Sequence, residues 1–235
     1  MLEIKNLTKC YGAKKAVDDL SLTVRSGELC AFIGHNGAGK TTTLKCVAGV
    51  LGWEEGDIFV DGRSVKDAPL ETKRRMAYIP DNPDIYEFMT GMQFLNFIAD
   101  IFGVQDEERR AKVAEYSAAL ELTDEEIATQ ISAYSHGMKQ KLVLIAAFLH
   151  SPALIILDEP FVGLDPKASH VLKTIMRDFC SKGGAILFST HILEVAEKLC
   201  DRVAIIKEGR LVRAGTMAEV KGDASLEDTF LGLGE

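Results

Sequence analysis

The stretch "GHNGAGKTT", Gly34 to Thr42, constrains this chain more than any other. It matches G-x-x-x-x-G-K-[ST], directly follows the apolar run "LCAFI" and opens the helical pattern "TTTLKCVAGVL". A strand, a glycine loop and a helix in that order make a cradle for phosphate. Gly37 and Gly39 let the backbone fold tightly, so successive N–H groups along Gly34, His35, Asn36, Gly37, Ala38, Gly39, Lys40, Thr41 and Thr42 face phosphate oxygens. Lys40 supplies a point charge to the β- and γ-phosphates, and the Thr41 hydroxyl can ligate Mg²⁺. The bare pattern arises by chance in roughly one chain in a hundred of this size. The strand-loop-helix context therefore outweighs a plain glycine turn.

The patterning around the loop sets the fold class. The first sixty or so residues alternate like strands in "LEIKNLTKCYG", "DLSLTVRSGE", "LCAFIG" and "GDIFVDGRSV". From about Pro83 to Pro152 the pattern is helical, in "TGMQFLNFIADIFG", "DEERRAKVAEYSAALEL" and "MKQKLVLIAAFLH". Then "ALIILDEP" and "AILFSTH" read as buried parallel strands, separated by the helix "ASHVLKTIMRDFCSKGG". "ILEVAEKLC" is a helix and "RVAIIKEGRLVRAG" a hairpin. Strands alternating with helices imply an α/β core with a largely parallel sheet. The expected organisation is one domain over 1–235. Residues 1–83 and 153–220 form the catalytic core with an N-terminal antiparallel β subdomain. Residues 84–152 form an inserted α-helical subdomain, and 221–235 are a tail with few pattern signals.

Three further stretches carry chemistry. "LIILDEP" ends a buried strand on Asp158 and Glu159, and open α/β sheets bind ligands at the carboxyl ends of strands. Asp158 can hold Mg²⁺ through water, and Glu159 can act as general base on an attacking water. His191 ends "AILFSTH", within reach of a γ-phosphate or that water. "SAYSHGMKQ" opens a helix with Ser135 and Gly137 beside His136, Lys139 and Lys141. Ser135 can be a helix cap. The same helix start can also receive an anion, because its N–H groups and dipole end are positive.

With these motifs in this order, the chain resembles the nucleotide-binding subunit of an ABC transporter over nearly all of its 235 residues. "GHNGAGKT" is similar to the Walker A loop of a P-loop NTPase, "LIILDEP" to Walker B, and "GLDP", Gly163 to Pro166, to the D-loop. The resemblance implies that Tyr11 stacks on adenine and that His191 is the switch histidine. It implies that "YSHGM" takes the place of the LSGGQ signature, so that Ser135 and Gly137 contact ATP held by a second ATP-binding subunit. Lys40, Glu159 and His191 would be catalytic, with ATP and Mg²⁺ as cofactors. The partners implied are an integral membrane permease and a second ATP-binding subunit, identical or not. The place implied is cytoplasmic, peripheral on the inner face of the membrane. The pairing of "SHGMKQKL" with "DEPFVGLDP" resembles bacterial exporters, Ecs-type subunits in particular.

The chain departs from the family pattern twice. His136 and Met138 replace a glycine and the glutamine of the signature. Asp81, in "YIPDNPDIY", stands at the Q-loop glutamine, where a carboxylate can ligand Mg²⁺ but repels an unpaired γ-phosphate. Composition narrows the alternatives. A net charge of −8 and a single compact basic triple, Lys73 to Arg75, give no nucleic-acid footprint, which weighs against a ribosome- or nucleic-acid-directed ABC ATPase. The signature and D-loop weigh against a kinase or GTPase, and an intact Glu159 against a silent binding module. Five scattered cysteines with no C-x-x-C, and no apolar run at the N-terminus of signal-peptide type, fit reduced thiols in a soluble protein.

Overall fold

The computed structural model describes residues 1–233; Gly234 and Glu235 lie outside the described residues. Strands β1 (Leu2–Tyr11) and β2 (Lys14–Val24) form an antiparallel ribbon, and β3 (Leu29–Ile33) leads through the glycine loop into α1 (Lys40–Val47). Strand β4 (Glu55–Val60) and the short β5 (Arg63–Ser64) return to the ribbon, giving a four-stranded sheet of order β2-β1-β4-β5. Helix α2 (Pro69–Arg75) precedes β6 (Met76–Ile79). The helices α3 (Gly91–Phe102), α4 (Asp106–Leu120), α5 (Asp124–Ala128) and α6 (His136–Leu149) follow, with a single 3₁₀ turn before α6. The chain then alternates through β7 (Leu154–Asp158), α7 (Pro166–Ser181), β8 (Ala185–Thr190), α8 (Leu193–Leu199) and β9 (Arg202–Lys207). It closes with β10 (Arg210–Thr216), α9 (Met217–Lys221) and α10 (Leu226–Gly232).

The second sheet has the order β10-β9-β3-β8-β7-β6, parallel throughout except for the β9–β10 hairpin. Its inner strands are buried on both faces, which accounts for continuous apolar runs such as "LIIL". Along β3, Leu29, Ala31 and Ile33 join the core shared with α3, α4, α6 and α7, whereas Cys30 and Phe32 join the core shared with α1 and the antiparallel sheet. β3 thus departs from the half-exposed alternation expected for the first sixty residues. Every position from Leu29 to Ile33 is buried, and the strand belongs to the parallel sheet rather than to the ribbon beside it.

Local chemistry sets the helix ends. Thr90–Gln93, Thr123–Glu126, Thr216–Glu219 and Ser225–Asp228 each form a capping box, tying two free N–H groups at a helix start. The last of these organises the tail: α10 buries Leu226 completely and its N–H donates to Glu197 at 3.0 Å.

His150, just beyond α6, stacks on Phe102 with ring centroids 3.7 Å apart, and its Nε2 lies 3.2 Å from the Met76 carbonyl oxygen. Burial pushes its pKa down from 6.5 to about 4. Protonation therefore favours the unfolded chain. The stability tied to the neutral ring is complete above the unfolded value of 6.5 and is lost as pH falls toward about 4. That interval corresponds to at most about 3 kcal/mol. His150→Gln is expected to remove this part of the acid sensitivity, read as the wild-type-minus-variant difference in urea unfolding free energy between about pH 7.5 and about pH 4.5. Parallel pH curves for the two chains would contradict it.

Candidate nucleotide-binding site

The glycine loop sits where β3 ends, and its glycines are fixed by close approach as well as by turn geometry. A Cβ on Gly34 would lie 2.5 Å from the Ile206 carbonyl oxygen. One on Gly39, whose φ is +107°, would lie 2.4 Å from the Ala16 oxygen. Lys40 opens α1 with its side chain only 8% exposed. Its Nζ donates to the Gly34 carbonyl at 2.7 Å and the His35 carbonyl at 3.4 Å, and stands 3.9 Å from Glu159 Oε1. Burial lowers the lysine pKa, opposed by the negative charges of Glu159 and Asp158. The amine therefore lies over the loop and faces the acidic pair.

That pair comes from the end of β7. Asp158 is 1% exposed. Glu159 follows it with φ +49°, a left-handed conformation that turns its carboxylate back toward the loop and the end of β8. There His191 Nδ1 lies 3.0 Å from Glu159 Oε2. One cavity of about 440 Å³ is lined by Tyr11, Lys40, Thr41, Asp81, Asp158 and Glu159, with His35, Asn36, Gly37, Gly39 and Thr42 also on its wall. Tyr11, also on the lining, is 53% exposed, with the Lys9 amine 5.6 Å from its ring centroid. Gly34 and His191 line an adjoining cavity of about 430 Å³, and Ala38 is buried behind the loop.

The donor set fits Mg²⁺ brought in with phosphate. Among the described residues, no group of three or more His, Cys, Asp or Glu side chains could hold a metal by itself. Mg²⁺ needs only one or two carboxylates beside phosphate oxygens and waters. Thr41 and Asp158 supply a hydroxyl and a carboxylate to the lining of one cavity, which the exposed Asp81 also lines.

Ser135 and Gly137 do not line this cavity. Ser135 is the N-cap of α6, accepting from the Met138 N–H at 3.2 Å. The capping reading of this serine thus holds. It leaves the anion reading open, because a capping hydroxyl still has its own hydrogen to donate. His136 packs over the D-loop turn: a Cβ on Gly163, at φ +80°, would lie 2.3 Å from its Cδ2. Lys141 stands 3.9 Å from Asp165, the N-cap of α7. The exposed start of α6 and the turn from Gly163 to Pro166 therefore lie side by side.

Sequence reasoning missed Lys14 and Ala16 on the cavity wall, Phe230, whose ring centroid lies 4.7 Å from that of His35, and Ser189 behind the acidic pair. Ser189 alone had a signal, a polar residue inside an otherwise apolar strand. The others come from distant parts of the chain that only folding brings near.

Comparison with known proteins agrees with this geometry. The family model described as ABC transporter matches residues 17–162. The ABC-type transporter ATP-binding protein EcsA of Bacillus subtilis (strain 168) is 33% identical over 238 residues, covering 99% of this chain and 96% of that protein. A solved structure described as the ATP-binding subunit of an ABC transporter superposes with a TM-score of 0.96, at 36% identity and full coverage of both chains. The fold also matches, at 22% identity and a TM-score of 0.82 over 92% of this chain and 99% of the other, a dimeric post-hydrolysis state of the ATP-binding cassette MJ0796 bound to ADP and Pi. The chain belongs to the ABC transporter family, among its ATP-binding proteins.

Proposed function

We propose that this chain hydrolyses ATP as one half of a head-to-tail dimer and thereby drives a membrane-spanning permease, in the direction of export. The observation that carries the reading is that Lys40, Thr41, Asp158 and Glu159 line one cavity, with His191 Nδ1 3.0 Å from Glu159 Oε2. Loop N–H groups and Lys40 bind and orient the phosphates. Mg²⁺, once bound through Thr41 and Asp158, would draw negative charge away from the transferring phosphoryl group. Glu159 takes a proton from the attacking water, and His191 holds that carboxylate by its Oε2. Asp81 adds a third carboxylate to the cavity beside Asp158 and Glu159, so the Q-loop position adds charge where the family pattern has an amide.

The dimer follows from what one chain lacks. Ser135 and Gly137 are not among the residues that line the chain's own cavity, and on this reading a second chain brings its signature to this ATP. ATP then favours the closed pair more than ADP does, and that difference is the force available to a partner. The permease surface is the groove of about 360 Å³ between β6, α3 and α6, lined by Pro80, Pro83, Ile85, Phe94, Ile98 and Val143. Beside it Tyr86 packs on Phe88 and Phe97 at 5.8 and 5.6 Å, with Phe88 71% exposed. An apolar groove rimmed by exposed aromatics suits an amphipathic helix. Among the described residues no helix is long and apolar enough to cross a membrane, and this reading assigns the spanning part to that partner. Export rests on the resemblance of the signature and D-loop to exporter subunits.

Purification of tagged Glu159→Gln chain with ATP from mild-detergent extracts of its own cells is expected to bring down a multi-span membrane protein in stoichiometric amount. Ribosomes or DNA without such a protein would overturn the transporter reading in favour of an ABC ATPase working on another machine. Lys40→Ala is expected to weaken ATP binding at least about tenfold, measured by equilibrium titration, because a charge-assisted contact is worth roughly 1.5–3 kcal/mol. Gly163→Ala, forced against His136, is expected to slow turnover about tenfold or more with ATP affinity unchanged. His136→Gly in the same chain should restore part of the rate, and no recovery would show that the His136–Gly163 contact does not set the D-loop.

A further inference from the structure

Ser189 lies two residues before His191, fully buried in β8. The parallel register sets it opposite Asp158. Its hydroxyl donates to Asp158 Oδ1 at 2.5 Å and accepts from the backbone N–H of Glu159 at 3.0 Å. A hydroxyl has one hydrogen and two lone pairs, so a single side chain engages both acidic positions at once. Its neighbours Ala185 to Phe188 are all apolar, and a buried hydroxyl among them has to be satisfied. These two bonds satisfy it.

The bond to Glu159 acts at a demanding point. A glutamate at φ +49° keeps that conformation only where the surroundings hold it. The end of β8 holds this residue twice: Ser189 fixes its N–H, and His191 fixes its Oε2 at 3.0 Å. Asp158, 1% exposed, is held in turn through Oδ1.

We propose that Ser189 is a positioning residue for hydrolysis, holding the Asp158 carboxylate and the turned backbone of Glu159 in one arrangement and acting on the reaction through them. The proposal rests on the ATPase reading of this site. It makes the hydroxyl, rather than the size of the side chain, the property that matters at position 189.

Ser189→Thr and Ser189→Val separate the two, since threonine and valine share a shape and differ by a hydroxyl in place of a methyl. The full chain is assayed for turnover at saturating ATP with Mg²⁺, for ATP affinity in EDTA, for the Mg²⁺ concentration that half-saturates its effect on that affinity, and for its thermal midpoint. The valine chain is expected to lose about 10–100-fold in kcat and to need more Mg²⁺. The threonine chain is expected to stay within about threefold of wild type in both, and neither to change ATP affinity in EDTA by more than about threefold. A valine chain as fast as the threonine chain overturns the proposal, as does a threonine chain as slow as the valine one. If the valine chain does not fold, Ser189→Ala against the wild type, which differ by the hydroxyl alone, carries the test, and an alanine chain as fast as wild type overturns the proposal. A wild-type chain that binds ATP and hydrolyses none overturns the ATPase reading itself. An active wild type with an equally active valine chain overturns only the role of Ser189.

Discussion

The parallel pairing of β3, β8 and β7 is the constraint on which the site depends. In that register Ile33 lies beside Thr190, and Asp158 beside Ser189. The strand that leads into the glycine loop and the strand that leads into the acidic pair are thus held apart by one strand, β8, which His191 directly follows. A slip of one residue along β7 would move Asp158 by about 3.3 Å and turn it to the opposite face. Lys40, Glu159 and His191 would then no longer meet. Continuous apolar runs buried on both faces secure the register, because any slip would drive Asp158 or Ser189 into one core or the other.

The same constraint makes the polar groups affordable. Lys40, Asp158 and Ser189 are all buried, and each finds a partner within the loop or the strand ends. A buried charge without such a partner costs several kcal/mol. Here a lysine and two carboxylates offset one another, while loop carbonyls take the lysine's remaining hydrogens. The site is therefore arranged before any nucleotide arrives, which reduces the ordering that binding would otherwise require. Ser135, exposed at the capped start of a mostly buried α6, is not among the residues that line the cavity.

Much of this was legible in the sequence because its residues are adjacent there. The glycine loop, the acidic pair and His191 each sit at the end of an apolar run, and a period of two or of 3.6 marks the element before or after. The helical stretch and the terminal hairpin announced themselves in the same way. Other features were hidden for physical reasons. Strand β6 is only four residues long, too short for periodicity, and stood unread between a basic helix and a proline loop. Strand β3 looked like its antiparallel neighbours because its pattern cannot say which sheet it joins. The order of the tail depends on Leu226 and Phe230 reaching α8 and His35, contacts with no local signature. The site residues that went unseen, Lys14 and Ala16, are supplied by β2 across the loop, where sequence distance hides them.

The central claim is that one chain holds half of each ATP site and a second chain supplies the rest. Light scattering on the isolated Glu159→Gln chain tests it most directly, since that variant is expected to keep ATP without turning it over. In ATP and Mg²⁺ the account requires the mass to rise from 25.7 kDa to twice that value, and to fall back when Ser135 is also changed to alanine. A chain that binds ATP tightly and stays at 25.7 kDa would contradict it.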